Sequence, residues 1–143
     1  MITIIKDKPL INEVFDYDVI LVGTGIVNAL GNGFQYQVKV NFPDVDKANK
    51  STNYGDIRKL GTVKVIGLTP VFCLLYIFKT KQRPDKNPDY LDYDALKKCM
   101  NLINTAFHGK RIATTFIGAS KFDGNGDKQR ILEILENEAK EID

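Results

Sequence analysis

A run of four apolar residues, Val19 to Val22, ends directly at Gly23-Thr24-Gly25. A continuous apolar run of this length is typical of a strand that is covered on both faces, as a central strand of a parallel sheet is. Parallel neighbours need long crossover connections, which are usually helices. The run therefore favours an α/β fold with a parallel sheet.

Strand-like and helix-like patterns alternate along the rest of the chain. Apolar runs predict further strands at 2–5, 62–66, 71–78 and 112–117, and apolar residues at spacings of three and four predict helices over 91–107 and 128–142. Asn125 or Asp127 is the expected cap of the last helix. The alternation predicts a layered α/β structure with a mainly parallel sheet. A length of 143 residues predicts one domain, spanning 1–143.

One segment fits two patterns. Apolar and aromatic residues alternate strictly with polar ones from Phe34 to Phe42, which indicates a half-buried strand. The same segment also offers a helical face, in which Phe34, Val38, Phe42 and Val45 line up and Pro43 starts a new turn. The local pattern slightly favours the strand.

Composition narrows the classes of function. A net charge of +2 with pI ≈ 8.4 lacks the clustered basic surface that binding to duplex nucleic acid would require. Two cysteines without a CxxC pair and a single histidine predict neither a disulfide nor a metal or other cofactor. Since there is neither a signal peptide nor an apolar run of membrane-spanning length, we expect a cytoplasmic protein without a membrane partner. The oligomeric state is left open.

Two glycine-bearing loops follow apolar strands, at 23–33 and 118–126. Ligands of open α/β sheets bind at the carboxyl ends of the strands, and glycines let backbone N–H groups approach a phosphate closely. The alternative is that the glycines only permit sharp turns. Asn28 stands where a dinucleotide fingerprint would have its third glycine, so the first loop does not match that motif.

In chain order, the segments Asp18–Gly25, Asn28, Gly31–Phe34 and Phe42-Pro43 resemble the first ligand loop and the following helix of macro domains. The segments Gly55–Ile66, Ile117-Gly118 and Ile131–Leu135 are similar to that family's turn into its central strands, its second loop and its last helix. The resemblance covers nearly the whole chain. It is nearest to ADP-ribose 1''-phosphate phosphatases and small ADP-ribosyl-protein hydrolases, including versions carried by bacteriophages, whose location would be the host cytoplasm.

The resemblance implies a three-layer α/β/α fold with a mixed, mainly parallel sheet, and a helix over 34–42. It also implies that ADP-ribose or a derivative binds with its diphosphate between the two loops. The ligand-binding residues implied are Gly23, Thr24, Gly25, Gly31, Asn32, Gly33 and Phe34 in the first loop, Gly118, Ala119, Ser120, Lys121 and Phe122 in the second, and Asp7 beside adenine. Ser120 departs from the glycine that the family commonly has, and Asp7 is imperfectly spaced from Asp18.

The resemblance also suggests catalytic residues. Asn28 would orient the distal ribose, and the Asp123 carboxylate would activate water; the structural alternatives are a turn asparagine and a solvated loop residue. Lys79 or Lys81 could act as an amine nucleophile, although a solvated lysine at a strand end is favoured. A hydrolase and a non-catalytic reader or sponge need the same ligand loops, so the sequence leaves both open.

Overall fold

In a computed structural model, the described residues form a five-stranded sheet between two helical layers. The described residues are 2–5, 8–27, 30, 33–79, 91–115 and 127–139, with the side chains of 128 and 136–139 excepted. The strands are β1 (Ile2–Ile4), β2 (Val19–Gly25), β3 (Val63–Ile66), β4 (Val71–Phe78) and β5 (Ile112–Thr114), and the helices are α1 (Gly33–Asn41), α2 (Pro43–Lys50), α3 (Tyr93–Ala106) and α4 (Lys128–Ala139).

The strand order across the sheet is β1-β5-β2-β4-β3. The pairs β1 with β5, β5 with β2, and β2 with β4 are parallel, whereas β3 is antiparallel to β4. The sheet is therefore mixed and mainly parallel. This confirms the predicted fold class.

Strand β2 is central, and each of its seven residues is buried. Successive side chains of a strand point to opposite faces of the sheet. Val19 and Leu21 accordingly join the apolar cluster on one face, while Ile20 and Val22 join the cluster on the other. Burial on both faces explains why every position of the Val19–Val22 run is apolar.

Helices α3 and α4 cover the face that contains Val19 and Leu21. The start of each helix is fixed by an aspartate outside its first turn. An Asp92 carboxylate oxygen accepts from the Ala95 backbone N–H at 2.9 Å, and Asp127 accepts from the Arg130 N–H at 3.1 Å. The predicted capping role of Asp127 is confirmed.

The ambiguous segment is helical, as the family resemblance implies, and the strand favoured by its local alternation is wrong. Val38 and Val45 are fully buried on the second face of the sheet. Tyr36 and Val40, which a strand would place beside Val38, are 53% and 57% exposed. Pro43 occupies the start of α2, where its missing N–H costs no intrahelical hydrogen bond.

Some predicted boundaries move. Strand β5 ends at Thr114, and Thr115 already lies outside it, whereas the sequence predicted a strand to 117. Positions 116 and 117 lie outside the described residues. The other strands and helices begin or end within a few residues of their predicted limits, because frayed ends carry little apolar pattern.

The two cysteines are structural. Cys73 and Cys99 are free and buried, and burial raises the pKa of each thiol to about 12. Neither is a reactive thiolate near neutral pH. No group of metal-ligating side chains occurs among the described residues. Of the helices in the described part of the chain, none combines the length and the apolar character needed to cross a membrane.

Asp18 joins three strands at the amino-terminal edge of the sheet. Its carboxylate accepts from the Arg111 backbone N–H at 2.9 Å and lies 3.3 Å from an Arg111 guanidinium nitrogen. Its carbonyl oxygen accepts from the Val71 N–H at 3.0 Å. The starts of β5, β2 and β4 are therefore tied together at one residue, and the hydrogen bond from the Arg111 N–H lowers the pKa of the Asp18 carboxyl.

Replacing one buried valine of α1 tests the helical assignment. We expect Val38→Ala to lower the free energy of unfolding by about 1.5–3 kcal/mol, because the methyl groups that it removes are fully buried. Val40→Ala is the matched control, and its effect should stay within about 0.5 kcal/mol because Val40 faces solvent. If urea denaturation shows that both variants lose the same free energy of unfolding, the segment is a strand and not a helix.

The interaction of the Asp18 carboxylate with Arg111 predicts that the free energy of unfolding depends on pH. The pKa of Asp18 is lowered in the folded state, so its contribution is complete above the unfolded-state pKa of about 3.9 and is lost as the pH falls below that value. Asp18→Asn keeps an acceptor for the Arg111 N–H but removes the charge. Its unfolding free energy should therefore fall less steeply than that of the parent below about pH 5. The control is Asp44→Asn, at an exposed position. Its free energy of unfolding should depend on pH as that of the parent does. If Asp18→Asn also keeps the parent's pH dependence, the Asp18 carboxylate does not make the assigned contribution to stability.

Candidate functional site

Strands β2 and β5 run toward the same edge of the sheet. The two strands are parallel neighbours, with Val19 opposite Ile112 and Ile20 opposite Ala113. β2 leads to α1 on one face of the sheet, and β5 leads to α4 on the other face. Connections that leave neighbouring strands toward opposite faces open a crevice between them, which is where α/β sheets bind ligands. The first glycine-bearing loop follows β2 at this edge, and positions 118–126 of the second loop lie outside the described residues.

Two backbone hydrogen bonds of Ile26 fix the point where the first loop leaves the sheet. The Ile26 N–H donates to the carbonyl oxygen of Phe78 at 3.3 Å, and the Ile26 carbonyl oxygen accepts from the Gly55 N–H at 2.7 Å. The register of β2 against β4 shifts between Thr24 and Gly25. The chain is therefore held by β4 and by the turn around Gly55 as it passes from strand to loop.

Helix α1 starts at this edge, beside open space. Gly33 has a φ of +52°, and a Cβ added there would meet no atom of the described residues within 4 Å. The buried Gln35 amide nitrogen donates to the Gly23 carbonyl oxygen at 2.6 Å, which holds the start of α1 against β2. The first turn, described in full, contains no acidic residue. The N-terminal end of a helix attracts anions, so the arrangement suits a negatively charged ligand.

The predicted first-loop residues occupy different positions. Gly23 and Thr24 belong to the ladder between β2 and β4, and Gly25 is the last residue of β2. Gly33 begins α1. Phe34 is half-buried and packs against the apolar cluster beneath α1.

Other predicted site residues lie outside the described part of the chain, together with Lys81 of the nucleophile alternative. They are Asp7, Asn28, Gly31, Asn32, Gly118, Ala119, Ser120, Lys121, Phe122 and Asp123. Lys79 is described and exposed, directly after β4.

Sequence reasoning missed three polar side chains at this edge. Gln35 anchors α1, as described above. Lys59 donates to the Thr52 hydroxyl at 3.0 Å and lies 5.0 Å from the centre of the Tyr76 ring, and burial lowers its pKa. The buried Tyr76 hydroxyl donates to Asn49 Oδ1 at 2.8 Å. The only signal in the sequence was a tyrosine, with its polar tip, inside the apolar run 71–78.

The fold is similar to those of solved macrodomains. The macrodomain of Mycobacterium tuberculosis DarG matches at a TM-score of 0.69 and 18% identity, over 98% of this chain and 90% of that one. Thermosipho africanus DarTG in complex with ADP-ribose matches at 0.72 and 13% identity, over 89% of this chain but 36% of that one, so the chain spans about a third of that protein. A protein of unknown function from Bacteroides thetaiotaomicron matches at 0.72 and 16% identity, over 99% and 94%.

No family model matches the sequence, and no curated protein matches it. The likeness is one of structure at identities of 13–18%. The chain therefore has the macrodomain fold, as the resemblance of its sequence motifs implied.

Proposed function

We propose that the chain binds ADP-ribose or a derivative of it at the edge where β2 and β5 end. The observation that carries this proposal is the adjacency of those two parallel strands, together with the start of α1 in open space at Gly33. Along the chain, the glycine-bearing segments 23–33 and 118–126 stand before α1 and α4, and these two helices lie on opposite faces of the sheet.

The charge of the ligand fits the edge. A diphosphate is anionic and accepts hydrogen bonds from backbone N–H groups, which glycine-bearing loops and helix N-termini supply. The absence of acidic residues from the first turn of α1 removes a source of repulsion. The structural likeness to a DarTG solved with ADP-ribose supports the identity of the ligand.

Gly33 is the position that tests binding. We expect Gly33→Glu to abolish ADP-ribose binding in titration calorimetry, because its side chain enters the open space beside α1 and adds a negative charge there. The positive φ adds a strain of about 1–2 kcal/mol, so the variant should be less stable but folded.

Gly109→Glu is the matched control. Gly109 also has a positive φ, +78°, and open space beside it, but it lies between α3 and β5, at the opposite edge of the sheet. It should lose comparable stability and keep its ADP-ribose affinity. A folded Gly33→Glu protein with the parent's affinity would remove the first loop from the site.

We propose, as the enzymatic form of this function, hydrolysis of a group on the distal ribose, either a 1''-phosphate or an ADP-ribosyl ester. Asp123 is the proposed carboxylate, with Asn28 orienting the ribose. Asp123 and Asp127 are the only acidic residues of the segment 118–127, and Asp127 is engaged as the cap of α4. Carboxylate-assisted attack by water needs neither a metal nor a histidine.

Turnover of ADP-ribose 1''-phosphate and of an ADP-ribosyl ester tests this step. Loss of a general base typically costs ~10²–10⁴ in rate, so Asp123→Ala should lose at least about a hundredfold in turnover and keep most of its ligand affinity. Asp127→Ala, the control, should lose about 1 kcal/mol of stability without that loss of rate. Parent-like turnover in Asp123→Ala would move the chemistry to another residue. A parent that binds but turns over neither substrate would favour a non-catalytic reader or sponge.

A further inference from the structure

An open depression of about 330 Å³ lies next to the proposed ADP-ribose edge. It is lined by residues 51–53 after α2, by Lys59, by residues 62–64 at the start of β3, and by Tyr76 of β4. Its volume is at the lower end of the range for small-ligand pockets, about 300–1,000 Å³. It therefore suits a small group rather than a whole nucleotide.

The lining contains two cationic side chains. They are Lys59 and Lys64, and none of the described lining residues is acidic. The hydroxyls of Ser51, Thr52 and Thr62 also line it, but each donates its hydrogen to a backbone carbonyl oxygen. Lys64 lies two positions before Ile66, which packs in the same cluster as Tyr76. Because strand residues two apart share a face, Lys64 and Tyr76 lie on the same face of the sheet.

Lys59 is held in place by a buried framework. Its ammonium group donates to Thr52 and lies over the Tyr76 ring, while the Tyr76 hydroxyl is fixed by Asn49. Tyr76 is 1% exposed and Asn49 is fully buried. A cation that is positioned before a ligand arrives loses little side-chain entropy on binding.

The carboxylates nearest in sequence to the lining are engaged elsewhere. Asp56 accepts from the Arg58 guanidinium at 2.8 to 3.1 Å, and this hydrogen bonding lowers the pKa of Asp56 to about 2. Asp46 pairs with Lys50 at 3.0 Å. The charge of Asp56 also acts on Lys59, but its effect on the Lys59 pKa is smaller than that of burial.

The depression and the proposed site share a border. Tyr76 pairs with Thr24 across the β2–β4 ladder, and Gly55, in the turn that follows residues 51–53, donates to Ile26 at the start of the first loop. Neighbouring strands are about 4.8 Å apart. A molecule held over the end of β2 would thus need only a short extension to reach Lys59.

We propose that this depression, the Lys59/Lys64 subsite, binds a phosphate group, either as free inorganic phosphate or as part of a molecule held at the neighbouring edge. Lysine ammonium groups are donors suited to phosphate oxygens, and a charge-assisted hydrogen bond is stronger than a neutral one. The subsite does not depend on ADP-ribose binding, because its lining, among the described residues, contains none of those assigned to ADP-ribose.

Titration of the whole chain with inorganic phosphate, followed by backbone and lysine side-chain NMR, tests the subsite directly. We expect saturable shifts at Thr52, Lys59 and Lys64, and affinity that falls as salt is added. Lys64→Gln and Lys59→Gln should each weaken the phosphate affinity about tenfold. Lys97→Gln, on the exposed surface of α3, should leave it unchanged. Lys64 is exposed, so its variant should fold even if Lys59→Gln does not.

A second arm distinguishes the source of the phosphate. If the group belongs to the ligand, the parent should bind ADP-ribose 1''-phosphate more tightly than ADP-ribose, and Lys64→Gln should remove the difference while keeping its affinity for ADP-ribose. If free phosphate is the ligand, the titration shifts appear without that difference. The absence of saturable shifts, or equal phosphate affinity in Lys64→Gln and the parent, would overturn the subsite. Failure of ADP-ribose to bind, with phosphate shifts intact, would instead count against the proposed function alone.

Discussion

The parallel pairing of β2 on both of its edges is the constraint on which the rest of the structure depends. A strand with β5 on one side and β4 on the other, and with every residue buried, must be covered by helices on both faces. Parallel pairing also demands long crossovers, so α1 and α2 intervene between β2 and the β3–β4 pair, and α3 between β4 and β5. The three layers follow from this one strand.

The same constraint restricts polar chemistry to the ends of the strands. Every residue of β2 pairs with β4, the first two also pair with β5, and the faces of the strand are apolar. Gln35 is an instructive exception, since its buried side chain donates to Gly23 and so couples the start of α1 to the end of β2. Movement of α1 would break that buried hydrogen bond, which costs free energy. The hydrogen bond therefore opposes displacement of the start of α1 from the end of β2.

Helices α1, α3 and α4 begin at the edge of the sheet toward which β2 and β5 run, and they differ in the acidic residues near their first turns. Asp92 and Asp127 cap α3 and α4, which places negative charge at those two N-termini, and the Asp127 N–H donates to the Tyr93 hydroxyl at 2.9 Å. The first turn of α1 has no such residue. Lys59 and Lys64 add positive charge next to β4. The start of α1 is therefore more favourable for an anion than the starts of α3 and α4.

The sequence by itself determined that β2 is a central strand and that α3 and α4 are amphipathic, because each depends on a local pattern of apolar residues. It narrowed the cap of α4 to Asn125 or Asp127, and the hydrogen bond from the Arg130 N–H identified Asp127. The sequence could not determine the state of 34–42, where alternation and helical spacing coexist; burial of Val38 against the sheet and exposure of Val40 decided for a helix. Nor could it bring β5 beside β2, or join Lys59, Thr52, Tyr76 and Asn49, since those contacts link residues distant in the chain. Only the tertiary structure decided them, because the energy that stabilises such contacts comes from packing the two helical layers against one sheet.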